Sequence, residues 1–321
     1  LSTVFHDPEL QDIAQRLQDN DGEVRRIAIL DLADLAGDEH AALLVAALRD
    51  PVPTVREEAA RALEAFESSD SVAGLVALLT DEDAGVREAA AHSLSELKLP
   101  ESAALLLPHA GHADAFVRAS VLRALRELKA PESIVPALAA LHDAHASVRR
   151  EAVAVAGYLK HPEALPALTA LAIGDPDAEV RRAAAGALGF AGSGSVDGVL
   201  SALLSGLNDD AWQVREEAAT TLGKLQRQEA GPPLVAALQD HYWQVRLRAA
   251  RALGRLRHRD ALPALVETLA HPAANLRKEA ALALGEIRDA AALPALEHAL
   301  QDPDPEVRKS ARLAVEQIRS A

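Results

Sequence analysis

The sequence predicts an all-α fold, a right-handed α-solenoid of about ten helix-turn-helix repeats, and three observations carry that prediction. First, one signature runs the length of the chain: a small hydrophobic residue, then Arg, then Ala and Leu at helical spacing, with the Arg at 25, 56, 87, 118, 149, 181, 215, 246, 277 and 308. Second, aromatic residues make up only 2% of a chain that is 49% hydrophobic, so its core must be built from Ala, Leu and Val, which suit close helix packing rather than one large centre. Third, no helix of the repeat could bury its apolar stripe alone, so each pair must stack on its neighbours.

The intervals between signature arginines are 31, 31, 31, 31, 32, 34, 31, 31 and 31, which tile a single array as repeats 8–37, 38–69, 70–100, 101–131, 132–161, 162–192, 193–227, 228–258, 259–289 and 290–321. The first helix of a repeat reads Ala-Leu-Pro-Ala-Leu at 164–168, 261–265 and 292–296, with Pro166, Pro263 and Pro294 in the first turn, where an amide hydrogen is dispensable. A short Asp-rich turn comes next. The second helix then places Val55, Ala59, Leu63 and Phe66 on one face at steps of four, four and three. Five residues before the signature hydrophobic stands Asp19, Asp50, Asp81, Asp143, Asp175, Asp209, Asp240 or Asp302. An Asp and an Arg at fixed places in successive repeats predict a structural ladder, the Asp accepting from turn amides and the Arg bridging to the next turn. The 34-residue step comes after Gly192-Ser193-Gly194-Ser195, which predicts an extra turn and a change of curvature between the sixth and seventh repeats.

Without cysteine the chain has no disulfide framework, no Cys-zinc site and no thiol nucleophile. It contains no run of 18 apolar residues, and its N-terminus lacks the order of a signal peptide, so a cytoplasmic monomer with no membrane partner is expected. The formal charge of −15 is concentrated in residues 1–100, which hold 21 Asp and Glu against 8 Lys and Arg. Such a balance suits a solubilising end of the array or a dock for a basic partner.

The runs Val180-Arg181 through Ala187-Leu188-Gly189, Val245-Arg246 through Ala252-Leu253-Gly254 and Leu276-Arg277 through Ala283-Leu284-Gly285 resemble HEAT-like repeats of the phycobilisome-lyase type. That resemblance spans nearly the whole chain and implies the solenoid; the family includes chromophore-attachment factors, chaperones and scaffolds. The first four repeats depart from it, with Ala33, Glu64, Ser95 and Arg126 where the Gly would sit, and looser packing is expected there. The chain also resembles the di-iron deoxyhypusine hydroxylases, whose ligands are His-Glu pairs two and three residues after the signature hydrophobic. Glu58, Glu151, Glu217 and Glu279 match, but Glu57, Arg150, Glu216 and Lys278 replace every histidine. No catalytic residue, metal or cofactor is therefore assigned. The pairs His109 with His112 and His142 with His145 stand near Asp114 and Asp143, yet a zinc or iron site needs three or four converging ligands, and His112 and His271 take the ladder position.

In solenoids of this family the second helices line the concave face, which makes their outward positions the natural contacts. In the seventh repeat these include Trp212, Gln213, Glu216, Glu217, Thr220 and Lys224, and in the eighth Trp243, Gln244, Arg248, Arg251 and Arg255. The two tryptophans occupy equivalent turn positions and are expected side by side with Tyr242 next to them. Residues 241–260 hold six Arg against one Asp, a local +5 on an acidic chain. Trp, Tyr and Arg dominate binding hot spots, so this patch is the candidate site for a protein partner with acidic and apolar features. Tyr158 and Phe190 mark a second, shallow apolar patch. The leading reading is a non-enzymatic scaffold or assembly factor gripping a partner on its concave face. A lyase-like or chaperone subunit for cofactor attachment is implied only by the resemblance, and a nucleic-acid-binding repeat protein is opposed by the overall charge.

Overall fold

Helices begin and end where the repeat places its turns. The computed structural model describes residues 8–35, 40–191 and 196–320, and all regular structure among them is helical. The chain divides into two compact halves, 1–159 and 160–321. The first contains α1 (Pro8–Arg16), α2 (Gly22–Asp34), α3 (Ala41–Ala47), α4 (Pro53–Ala62), α5 (Ser69–Leu78), α6 (Ala84–Ser95), α7 (Ala103–Leu106), α8 (Ala115–Glu127), α9 (Ile134–Ala140) and α10 (Ala146–Leu159). The second contains α11 (Leu165–Gly174), α12 (Ala178–Ala187), α13 (Val196–Gly206), α14 (Trp212–Leu225), α15 (Gly231–Ala237), α16 (Trp243–Leu256), α17 (Leu262–Thr268), α18 (Ala274–Ile287), α19 (Leu293–Ala299) and α20 (Pro305–Arg319). Within each half the helix pairs stack as an α-solenoid. Odd-numbered helices are the first of each pair and even-numbered helices the second. Pro166, Pro263 and Pro294 fall in the first turn of α11, α17 and α19, where they remove no helical hydrogen bond.

The stripe Val55, Ala59 and Leu63 is buried, and Phe66 packs half-buried beside it just past the short 3-10 turn that ends α4. In the second half α14, α16, α18 and α20 lie against one another in sequence, whereas α15, α17 and α19 barely touch. The signature glycines permit that approach. A Cβ on Gly254 would lie 2.8 Å from the Ala283 Cα, one on Gly285 2.8 Å from the Ala314 Cα, and one on Gly223 3.0 Å from the Ala252 Cα. Gly189 is different, since a Cβ there would meet only side-chain atoms of Lys224 and Thr221 at 3.5 and 3.6 Å. The junction of the sixth and seventh repeats is thus the more open one, although Gly192–Ser195, on which the expected extra turn rests, lies outside the described residues. In the first half the glycine position of α8 carries Arg126, which reaches Glu151 of α10 at 3.2 Å.

The ladder forms as chains of bidentate pairs. Arg25 with Asp50, Arg56 with Asp81, Arg118 with Asp143, Arg181 with Asp209, Arg215 with Asp240 and Arg277 with Asp302 each join by Nε and Nη2 to the two carboxylate oxygens at 2.6–3.0 Å. Each Arg also donates from Nη1 to carbonyls of its own turn, and each of these Asp accepts the amide two residues on. Partial burial alone would raise the carboxyl pKa of Asp50, Asp81, Asp143, Asp209 and Asp240, but the guanidinium and the turn amide outweigh it and hold each below the ordinary value. At Asp302 the guanidinium is itself the largest influence, in the same direction. A depressed folded-state pKa means the rungs contribute fully above the unfolded carboxylate value of about 3.9 and are lost as pH falls below it.

Asp302→Ala is expected to cost about 3 kcal/mol in urea unfolding followed by circular dichroism, because Arg277 keeps a charge that has little access to water and loses its carboxylate. Gly254→Val is expected to destabilise by about 2 kcal/mol, because its Cβ enters the Ala283 backbone; an unchanged midpoint would show that α16 and α18 do not approach this closely.

Candidate functional site

The rung at Asp240 positions the aromatic residues. Its Oδ1 accepts the Tyr242 amide at 2.8 Å, fixing the residue that precedes α16 in extended backbone. From there the Tyr242 ring lies over Trp212, the first residue of α14, with ring centroids 5.4 Å apart and planes at 14°. The Arg215 guanidinium, held on Asp240, is 5.6 Å from the Tyr242 ring. Trp212 stacks on Tyr242, because Tyr242 is the residue at the turn facing it, and Trp243 makes no ring contact among the described residues. Tyr242 and Trp243 remain 45% and 40% exposed.

Helix caps vary along the second helices, and Val52 at α4 supplies no side-chain bond. Asp21, Asp83, Asp114, Asp177 and Asp304 cap the second helices of their repeats through side-chain oxygens. Ala211, Tyr242 and Ala273 stand at the caps of α14, α16 and α18 and supply no such bond. A missing Asp cap costs about 1 kcal/mol. Three consecutive second helices forgo it, and the aromatic residues stand at the first two of them.

The arginine face of α16 is less positive than residues 241–260 suggest. Arg248 donates to Glu216 of α14 at 2.9 Å, and Arg251 donates to the buried Glu279 of α18 at 2.7–2.8 Å. Both acceptors lie about 30 residues away in sequence, so the local +5 is offset from the flanking helices. Burial pushes the Glu286 carboxyl above its ordinary value, against the pull of Arg255. Lys224 and Arg255 are exposed and have no ion pair among the described residues. Together with Arg248 and Arg251 they rim a cleft of about 110 Å³ between α14 and α16, floored by Gly223 and Ala252. Glu217 does not project freely; its Oε1 lies 2.9 Å from where a Cβ on Gly186 would stand. Gln213 is half-buried, and Gln244 has its Oε1 out of solvent without a donor. Tyr158, in the first half, is 47% exposed, while Phe190, in the second, is half-buried at the end of the short turn after α12.

The histidines at ladder positions act as acceptors: Nδ1 of His112 takes the Asp114 amide and Nδ1 of His271 the Ala273 amide, both at 3.0 Å. Among the described residues no three potential metal ligands converge. These substitutions break the ladder, a consequence that the repeat pattern left implicit although the positions of His112 and His271 signalled it. Arg87 keeps its carbonyl contacts to Asp81 and Glu82 and lies 6.0 Å over the Phe116 ring. Arg246 turns its Nε onto the Asp240 carbonyl and has no carboxylate partner among the described residues. Burial lowers the His271 pKa, and Arg246 and Arg277 lower it further, keeping the ring neutral at physiological pH.

Comparison with known proteins fits this architecture. The chain matches the family described as HEAT repeats in overlapping stretches, residues 10–95, 42–126, 73–143, 132–223, 200–274 and 231–316. No curated protein matches it. Among solved structures it is similar to an engineered protein, at 23% identity and a TM-score of 0.56 over 98% of this chain and 100% of that one. It is also similar to E. coli YibA, at 20% identity and a TM-score of 0.55 over 95% of this chain and 100% of that one. Kap95p, whose binding induces the switch loops of RanGDP to adopt the GTP-bound conformation, aligns at 15% identity and a TM-score of 0.63 over 99% of this chain and 54% of its own. At these identities the structural likeness speaks for the fold. No helix among the described residues is long and apolar enough to cross a membrane. With family matches running from residue 10 to 316 over helix pairs joined by one recurring Arg–Asp rung, the chain belongs to the HEAT-repeat family.

Proposed function

We propose that this chain is a non-enzymatic scaffold or assembly factor that holds a protein partner on the second helices of the seventh and eighth repeats. The observation that carries the reading is the grouping of exposed Tyr242 and Trp243 with the stacked Trp212 at the turn that opens α14 and α16, with a cleft rimmed by Lys224, Arg248, Arg251 and Arg255 further along the same two helices. Large rings give contact area at low entropic cost, and the two unpaired cations give a partner's acidic groups a place to land. Pairing of Arg248 and Arg251 within the protein weakens the case for a nucleic-acid backbone, which needs a continuous basic track. The likeness to phycobilisome-lyase repeats rests on motif glycines such as Gly254 and Gly285, whose role is helix approach, so it supports this architecture more than a cofactor-attachment reaction.

The test compares capture by the full chain with capture by a Trp212→Ala, Lys224→Glu, Arg255→Glu variant whose helical content is checked by circular dichroism. A partner retained at least tenfold less by the folded variant, and cross-linking to α14 or α16, is the expected result. Equal retention by both proteins would move the contact away from these repeats.

A further inference from the structure

The seventh and eighth repeats open their second helices with the same four residues, Trp212-Gln213-Val214-Arg215 and Trp243-Gln244-Val245-Arg246, yet the turns packed against them differ. Against the first, the next repeat supplies Asp240 and Tyr242. Arg215 forks onto the carboxylate at 2.7 and 3.0 Å, and Trp212 stacks on the ring at 5.4 Å. Against the second, the same two positions hold His271 and Ala273. Neither the carboxylate nor the ring is present.

The consequences are visible in both side chains. At the intact rungs Nε and Nη2 hold a carboxylate, but at Arg246 the Nε has turned back onto the Asp240 carbonyl, leaving the Nη nitrogens with no acceptor among the described residues. Trp243 is 40% exposed. Beside Arg246 a cleft of about 260 Å³ opens at the ends of α15 and α17; Gln239, Glu267, Thr268, His271 and Leu276 also line it. The Nδ1 of His271 is occupied by the Ala273 amide, so the neutral ring carries its proton on Nε2 and offers a donor. A histidine in the ladder does not by itself open such a site. At the earlier break Phe116 covers Arg87, whereas Asn275 stands in the place of Phe116 at the later one.

We infer that Trp243 and Arg246 recognise a partner segment carrying an acidic residue two positions before an aromatic one. Its carboxylate takes the guanidinium and its ring stacks on Trp243, the two contacts that Asp240 and Tyr242 provide within the molecule one repeat earlier. This rests on the reading of the seventh and eighth repeats as the binding region and names the chemistry of the partner. Glu267 at the rim disfavours a segment with a second acidic residue beside the first.

The probe is an end-capped Ser-Gly-Asp-Ser-Tyr-Gly-Ser peptide titrated into the full chain in a Trp212→Phe background, with emission read from Trp243. Saturable binding is expected, weakened at least tenfold when the peptide Asp becomes Asn, when its Tyr becomes Ala, or when Arg246 is changed to Gln. The decisive variant is His271→Asp, which rebuilds the rung within the protein. It should raise the urea midpoint and at the same time weaken peptide binding at least tenfold, so loss of binding is not loss of fold. No saturable change at millimolar peptide, equal binding by His271→Asp, or equal binding of the Ala peptide would each overturn the inference, the last leaving a plain anion site. A protein partner lost by the Lys224→Glu, Arg255→Glu surface but kept by His271→Asp would sink this inference and leave the scaffold reading standing. Peptide binding without any captured partner would do the reverse.

Discussion

The planar fork of arginine is the constraint on which the rest of the molecule depends. At each intact rung one guanidinium spends Nη1 on the carbonyls of its own turn and Nε with Nη2 on the carboxylate of the next, so a single side chain fixes both the shape of a turn and its distance from its neighbour. Lysine could not do this, since an ammonium has no rigid plane that meets two oxygens together. The carboxylate is equally committed, because it also holds the turn amide that leads into the next second helix. The 34-residue step of the repeat tests the point. Arg181 still reaches Asp209 at 2.7 Å, although three more residues separate that pair than separate the others, so the extra residues are absorbed without displacing the rung.

Once the turns are spaced by rungs, the second helices meet at a set distance, and side-chain size decides how well. The glycines of α14, α16 and α18 sit where a methyl group would strike the neighbouring backbone or its alanine. Clefts open along the first helices: one of about 520 Å³ between α1 and α3, one of about 280 Å³ between α5 and α7, and the one of about 260 Å³ at the ends of α15 and α17. A solenoid of this kind therefore offers two sorts of surface, a tightly knit face of second helices and a furrowed face of first helices.

The candidate site sits where the ladder, the caps and the helix faces all deviate together. Tyr242 replaces a capping Asp and gains a stack on Trp212; His271 replaces a rung Asp and leaves Arg246 without its carboxylate. On the helix face beside it, Glu216 and Glu279 neutralise Arg248 and Arg251 while Lys224 and Arg255 stay open. On the proposed reading, binding capacity comes from rungs and pairs that are left incomplete, more than from an accumulation of charge.

Spacing along the chain is enough to establish the repeat, the helix pairs, the turn positions and the existence of the ladder, because each depends on 3.6 residues per turn or on a fixed offset from the signature Arg. It also marks Trp212, Tyr242, Trp243 and the arginines of α16 as unusual, since they break the pattern of their repeats. His271 in the ladder position already says that Arg246 lacks its carboxylate, but which ring Trp212 meets, which arginines are already spoken for, and where Arg246 turns are settled by the packing of one repeat on the next. Those outcomes depend on residues 25 to 32 positions away, brought alongside by stacking, and on which way a long side chain turns when its expected partner is absent. A linear reading sums the charges within one helix, whereas the potential at a helix surface is set by the helices on either side of it.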